Sequence, residues 1–107
     1  MEPYLYIINH FGIRNQMKKT NEEIYELLEA INDFENLISE NETSVEPLYT
    51  KSELKVFRNH IIEEMGDVLI LLTQFIGKYE IAKEELDVIM DYKLERTLDR
   101  IESNYYK

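Results

Sequence analysis

An all-α fold is predicted by three observations on this sequence. Of its 107 residues only three are Gly and two are Pro, too few punctuators for a turn-rich β architecture. Apolar residues make up 44% of the chain and charged residues 32%, a mixture suited to amphipathic helices. Through most of the chain the apolar residues recur three and four apart, the period of a helix with one buried face. The expected architecture is four helices in a single domain over 1–107, with a core small enough that pairing with a second copy would help to bury it.

The first helix spans "YLYIINHF", with Pro3 where an opening turn tolerates it and Gly12 as its stop. A long second helix follows from Ile13 to about Ser39, carried by Ile13, Met17, Ile24, Leu27, Ile31, Phe34 and Ile38. "SENETSVEPLY", Ser39 to Tyr49, loses the period and collects Asn, Ser, Thr and Pro47, so a mobile surface loop is expected there. Thr50 and Glu53 form a capping box that opens the third helix, carried by Leu54, Phe57, Ile61, Met65, Val68, Leu72, Phe75 and Tyr79. A break around Gly77 to Ile81 precedes a fourth helix with Leu86, Met90, Leu94, Leu98, Ile101 and Tyr105 on one stripe.

Charge and composition exclude several function classes. A formal net charge of −10 argues against a broad basic surface for a nucleic acid polymer, whose binding depends on neutralised phosphates. No apolar run approaches the roughly 20 residues of a membrane span, and the N-terminus lacks the layout of a secretion signal, so a cytoplasmic protein is expected. With no cysteine, any metal must be held by oxygen or by His10 and His60, which favours hard cations.

The acids are the informative feature. Shifting the sequence by 41 positions aligns Glu22, Glu23, Ile24, Glu26, Leu27 and Leu28 with Glu63, Glu64, Met65, Asp67, Val68 and Leu69. At 100° per residue, Glu23 lies about 65° and Glu26 about 125° from the centre of the second helix's apolar stripe, on the same side. Glu64 and Asp67 take the matching places on the third helix. Packed as an antiparallel pair, the two helices would bring four carboxylates to one side of their seam. Four oxygen ligands without sulfur suit Mg²⁺, or Mn²⁺ in its place, whereas the Glu-x-x-His of a di-iron bundle is absent from both helices. The competing structural readings are a capping box between Thr20 and Glu23, and acids that simply face solvent. Two matched motifs hugging apolar stripes favour the metal site.

These residues resemble a known family, the MazG-like all-α nucleoside triphosphate pyrophosphohydrolases, to which the dimeric dUTPases are related. The family signature, Glu-x-x-Glu followed by Glu-x-x-Asp, is matched by Glu23-Ile-Tyr-Glu26 and Glu64-Met-Gly-Asp67. "FGIRNQMKKTNEEIYELLEAI" and "HIIEEMGDVLILLTQF" resemble the two motif helices, and "YKLERTLDRI" the basic closing helix of small members. The chain departs from the family in the 37 residues between Glu26 and Glu64, more than the usual motif spacing, with the excess between Ser39 and Phe57. The resemblance implies a four-helix core, Mg²⁺ dependence, a homodimer or homotetramer, and hydrolysis of a nucleoside triphosphate to the monophosphate and pyrophosphate. It implies that Glu23, Glu26, Glu64 and Asp67 carry the metal and the catalysis, and it puts Asn15 and Gln16 near the nucleotide, where an amide pair could read a base edge; the alternative makes those two polar surface residues.

Lys93, Arg96 and Arg100 form a basic stripe on the fourth helix, with Lys93 and Arg96 as candidates for phosphate oxygens. The alternative pairs them with Asp91, Glu95 and Asp99 on a solvated face. Tyr92, Tyr105 and Tyr106 suit either base stacking or a dimer interface. His60, one turn before Glu64, is left out of the site. From a different class, the rival to an enzyme is a non-catalytic helical module for self-association or partner binding.

Overall fold

The computed structural model describes residues 1–103 and contains four α-helices among them: α1 (Glu2–Phe11), α2 (Ile13–Thr43), α3 (Lys51–Lys78) and α4 (Lys83–Glu102). The expected Tyr105 and Tyr106 contributions lie outside the described residues. Pro3 occupies the first turn of α1, and Gly12 separates α1 from α2 at φ 90°, ψ 149°. That backbone region is open to Gly and strained for any residue with a Cβ.

Two boundaries differ from the sequence reading. The second helix runs one turn beyond Ser39, to Thr43, because Thr43 Oγ1 donates back to Ser39 O at 3.0 Å and keeps the polar stretch helical. The remaining connection, 44–50, is tied at its base rather than loose. Asn41 Oδ1 accepts from the Leu48 and Tyr49 N–H groups at 2.9 and 2.8 Å, and its Nδ2 donates to Tyr49 O at 3.0 Å. Gly77, expected to break the third helix, lies inside α3. A Cβ there would meet Met1 Sδ at 2.7 Å, so the glycine admits the N-terminus of α1. The break comes at Tyr79 and Glu80, where the Ile81 N–H bonds Ile76 O at 3.0 Å and the Glu80 N–H bonds Gly77 O at 3.2 Å, with Glu80 left-handed at φ 52°.

The α3 cap forms half of the expected box: Thr50 Oγ1 accepts from the Glu53 N–H at 3.1 Å, while Glu53 Oε1 accepts from the Thr50 hydroxyl at 3.2 Å rather than from its backbone N–H. Helices α2 and α3 are about 46 and 42 Å long at 1.5 Å per residue, and seven extended residues span at most about 25 Å, too short to return along either helix, so the packed pair must run antiparallel. Cross-seam contacts confirm the antiparallel register. Gln16 pairs with Gln74, Glu26 approaches Glu64, and Asn41 meets Tyr49, the numbers rising on one helix as they fall on the other.

Within one chain α1, α2 and α3 pack together around Ile8, Ala30, Val68 and Leu71, while α4 touches none of the other three. Its stripe of Leu86, Met90, Leu94, Leu98 and Ile101 stays exposed. The radius of gyration, 18.5 Å, far exceeds the roughly 13 Å of a compact chain of this length. No helix among the described residues is long and apolar enough to cross a membrane.

Because the α1–α2 junction depends on a glycine-only conformation, Gly12→Ala should lower stability by about 1–3 kcal/mol, read from denaturant midpoints at unchanged m-value.

A candidate metal centre on the α2–α3 seam

The antiparallel register brings the two acid motifs face to face. Glu23, Glu26 and Glu64 each offer a carboxylate oxygen, and these atoms lie within 4.8 Å of one another. Asp67 is not part of that close group. It is exposed, on the turn of α3 after Glu64, and lines the same pocket as Glu23. The residues the sequence pairs by a 41-position shift are thus the residues the fold assembles, with three at the centre and Asp67 at its side.

Burial makes the cluster costly in the absence of a cation. The side chains of Glu23 and Glu64 are only 8% and 13% exposed, yet Oε2 of each is buried without a hydrogen-bond donor. Glu23 Oε1 has one partner, Lys19 Nζ at 2.9 Å one turn earlier on α2. That hydrogen bond and the charge of Glu23 push the Lys19 amine above its ordinary value. The charge of Glu23 raises the Glu26 carboxyl above the usual glutamate range, with desolvation and the charge of Glu64 adding to it. A cation that accepts oxygen ligands would satisfy both orphan oxygens and cancel the repulsion, so the donor set fits a hard divalent ion. His60, left out on sequence grounds, approaches Glu64 with Nε2 3.8 Å from Oε1, which is too long for a hydrogen bond.

Beside the cluster a pocket of about 580 Å³ opens between α1, α2 and α3. Ile7, Phe11, Ile70 and Leu71 give it apolar walls, and Glu22, Glu23, Asp67, Lys18 and Lys19 give it a charged rim. Asn15 and Gln16, the expected nucleotide residues, both line it. Asn15 is exposed, its Nδ2 donating to Phe11 O at 2.7 Å, while Gln16 is buried. Gln74, which sequence reasoning passed over, also lines the pocket and is 1% exposed. The available signal was a glutamine on the apolar face of α3, two turns after Asp67. Lys93 and Arg96 are exposed on α4, Arg96 lying 5.7 Å over the Tyr92 ring, and the fold of one chain does not bring them to the acids.

Like-charge repulsion at the cluster has a measurable sign. Glu26 binds its proton more tightly in the folded chain, so its contribution to stability is present below the ordinary glutamate pKa and is lost as pH rises through the raised value. In chelator at neutral pH, Glu26→Gln should therefore melt at a higher temperature than the parent chain. With Mn²⁺ at 100 times its Kd, the parent should gain about 2.7 kcal/mol and the variant far less.

The model of the MazG nucleotide pyrophosphohydrolase domain matches residues 11–104, which takes in both acid motifs, all of the named pocket residues but Ile7, and α4. No curated protein and no solved structure gives a significant match. With the match covering most of the chain, and with the paired acid motifs meeting across the α2–α3 seam, the chain belongs to the MazG nucleotide pyrophosphohydrolase family.

Proposed function

We propose that this protein hydrolyses a nucleoside triphosphate, ribo or deoxy, to its monophosphate and pyrophosphate, using Mg²⁺ or Mn²⁺ held by Glu23, Glu26 and Glu64 with Asp67 completing the set. The observation that carries the reading is the pair of buried, unpartnered oxygens on Glu23 and Glu64 beside a third converging carboxylate. Acids this desolvated need a cation, and family membership supplies the reaction class.

A divalent ion bound there would act as a Lewis acid toward phosphate oxygens and lower the pKa of a coordinated water. The chain's own groups do the rest. Glu23, anchored by Lys19, and Glu64, set among the apolar residues of α3, present fixed oxygens on facing rigid helices, so little reorganisation is needed when substrate arrives. In the overall reaction water adds across the α–β phosphoanhydride: its hydroxyl joins one phosphorus, the bridging oxygen leaves with the other, and one proton is released. A chain of net charge −10 repels a triphosphate, so the acids favour substrate only when loaded with metal.

The exposed stripe on α4 supports self-association as part of the same reading. An isolated surface helix is marginal in water, and five large apolar residues on one side of α4 are exposed, with no other described helix packed against them. Docking against a second copy would bury them and provide a route by which Lys93 and Arg96 approach an acid cluster. Leu94→Glu should therefore convert the oligomer to monomer in sedimentation, with loss of α4 helicity.

The decisive assay is pyrophosphate release from a panel of canonical and modified nucleoside triphosphates, with Mg²⁺, with Mn²⁺ and with chelator. Release that requires metal is expected, and Glu64→Gln should reduce it by about 10²-fold or more while the circular dichroism stays helical. No release from folded, oligomeric protein would leave the non-catalytic interaction module as the better account.

A further inference from the structure

The acid cluster accounts for a triphosphate but not for the buried amides beside it. Gln16 and Gln74 are 7% and 1% exposed, and Gln16 Nε2 donates to Gln74 Oε1 at 2.8 Å across the α2–α3 seam. Among the described residues, that is the one hydrogen bond either side-chain amide makes. A primary amide carries two N–H donors and an oxygen with two lone pairs. The mutual bond therefore leaves the pair with a free acceptor on Gln16 Oε1 and free donors on Gln74 Nε2. Exchanging oxygen and nitrogen in both amides reverses the order and leaves the same complement. Unlike Oε2 of Glu23 and Glu64, these free amide atoms are not sealed from solvent; both side chains line the pocket, so the unused valences are open to a ligand there.

Their place on the helices says what would use them. Gln16 lies seven residues before Glu23 on α2, and Gln74 seven residues after Asp67 on α3. Seven residues rise about 10 Å and return to within about 20° of the same helix face. The amide pair thus stands on the same seam as the carboxylates, about 10 Å along it, and both ends line one pocket. A nucleotide is long enough to bridge that interval, which would put its phosphates at the acids and its base between the apolar walls of Ile7, Phe11, Ile70 and Leu71.

We propose that Gln74, acting with Gln16, is a specificity-determining residue that reads the donor–acceptor edge of the substrate's base. The inference rests on the pyrophosphohydrolase reading and goes beyond it by assigning the pocket to the base and discrimination to the amide pair. A site whose buried amides require partners accepts a base that presents adjacent donor and acceptor atoms in the right order. It rejects the same base with that edge blocked by a methyl group, because the amides are then left unpaired.

The test compares parent chain, Gln74→Met and Gln16→Met, which keep side-chain length and remove the hydrogen bonding. Each is assayed with Mn²⁺ on the four deoxynucleoside triphosphates and on the preferred one carrying an N-methyl group at its base edge. The parent should separate best from worst base, and unblocked from blocked, by at least tenfold in kcat/KM. Both variants should compress these ratios to within about threefold. Ratios unchanged in either folded variant overturn the assignment; should Gln74→Met fail to fold, Gln16→Met carries the comparison.

If the parent hydrolyses no nucleotide, the activity reading falls and binding decides the pocket on its own. Calorimetric titration with the four nucleoside monophosphates should then show base discrimination that Gln74→Met or Gln16→Met removes. Equal affinity for all four, or no binding, would overturn the amide assignment as well.

Discussion

The structure depends on holding like charges together where water is scarce. Two carboxylates with one orphan oxygen each are set where helix packing has excluded most solvent, and a third, exposed at the edge of the seam, converges on them with its proton affinity raised. Removing an ion from water costs several kcal/mol, and a single lysine at 2.9 Å offsets only part of that for Glu23. The remainder of the fold keeps the acids from moving apart. Asn41 ties the hairpin connection at one end of the seam, and Gly12 lets α1 close over the other. Between them Gln16 and Gln74 fix the register, since a slip of one residue would separate the amides and misalign Glu26 from Glu64.

The same constraint explains why one chain leaves so much apolar surface in the open. Three helices enclose a small core around Ile8, Ala30, Val68 and Leu71, and three of the seven buried residues among those described are polar: Gln16, Glu23 and Gln74. A core that devotes such places to function has less hydrophobic burial with which to stabilise itself. Leu28, Ile62, Leu69 and Leu72 on the paired helices, together with the stripe on α4, remain available for burial elsewhere. The helix that carries the basic residues is also the one that packs against no other described helix.

Much of this is legible in the sequence because it rests on periodicity. The helical spacing locates four helices, the Thr50–Glu53 pattern locates a cap, and the 41-position repeat identifies the acids that meet. The features that escape a sequence reading depend on contacts distant in the chain. Gly77 reads locally as a breaker and is in fact a point of close approach for Met1, while the actual stop falls on Glu80, a residue with no propensity for a left-handed turn. Polar composition puts the start of the loop at Ser39, whereas Thr43 bonds back into the helix and Asn41 organises the connection to α3. Gln74 is hidden for the converse reason: inside an apolar run a single amide looks incidental until its partner 58 positions away is known.

Charge gives the pocket a polarity along the seam. At one end the acids can hold a polyphosphate only through a cation, so phosphate affinity there is conditional on metal. At the other end the amides are neutral, and what they recognise does not depend on the ion. Lys18 and Lys19 stand on the rim between them, with Lys19 engaged by Glu23 until a cation competes for that carboxylate. Metal entry would release the ammonium from its hydrogen bond and leave it beside the rim, where a negatively charged ligand would gain a second positive contact. A cation on Glu23 would therefore couple the two ends, offsetting most of the negative charge of the acid cluster and freeing a lysine at the mouth of the pocket.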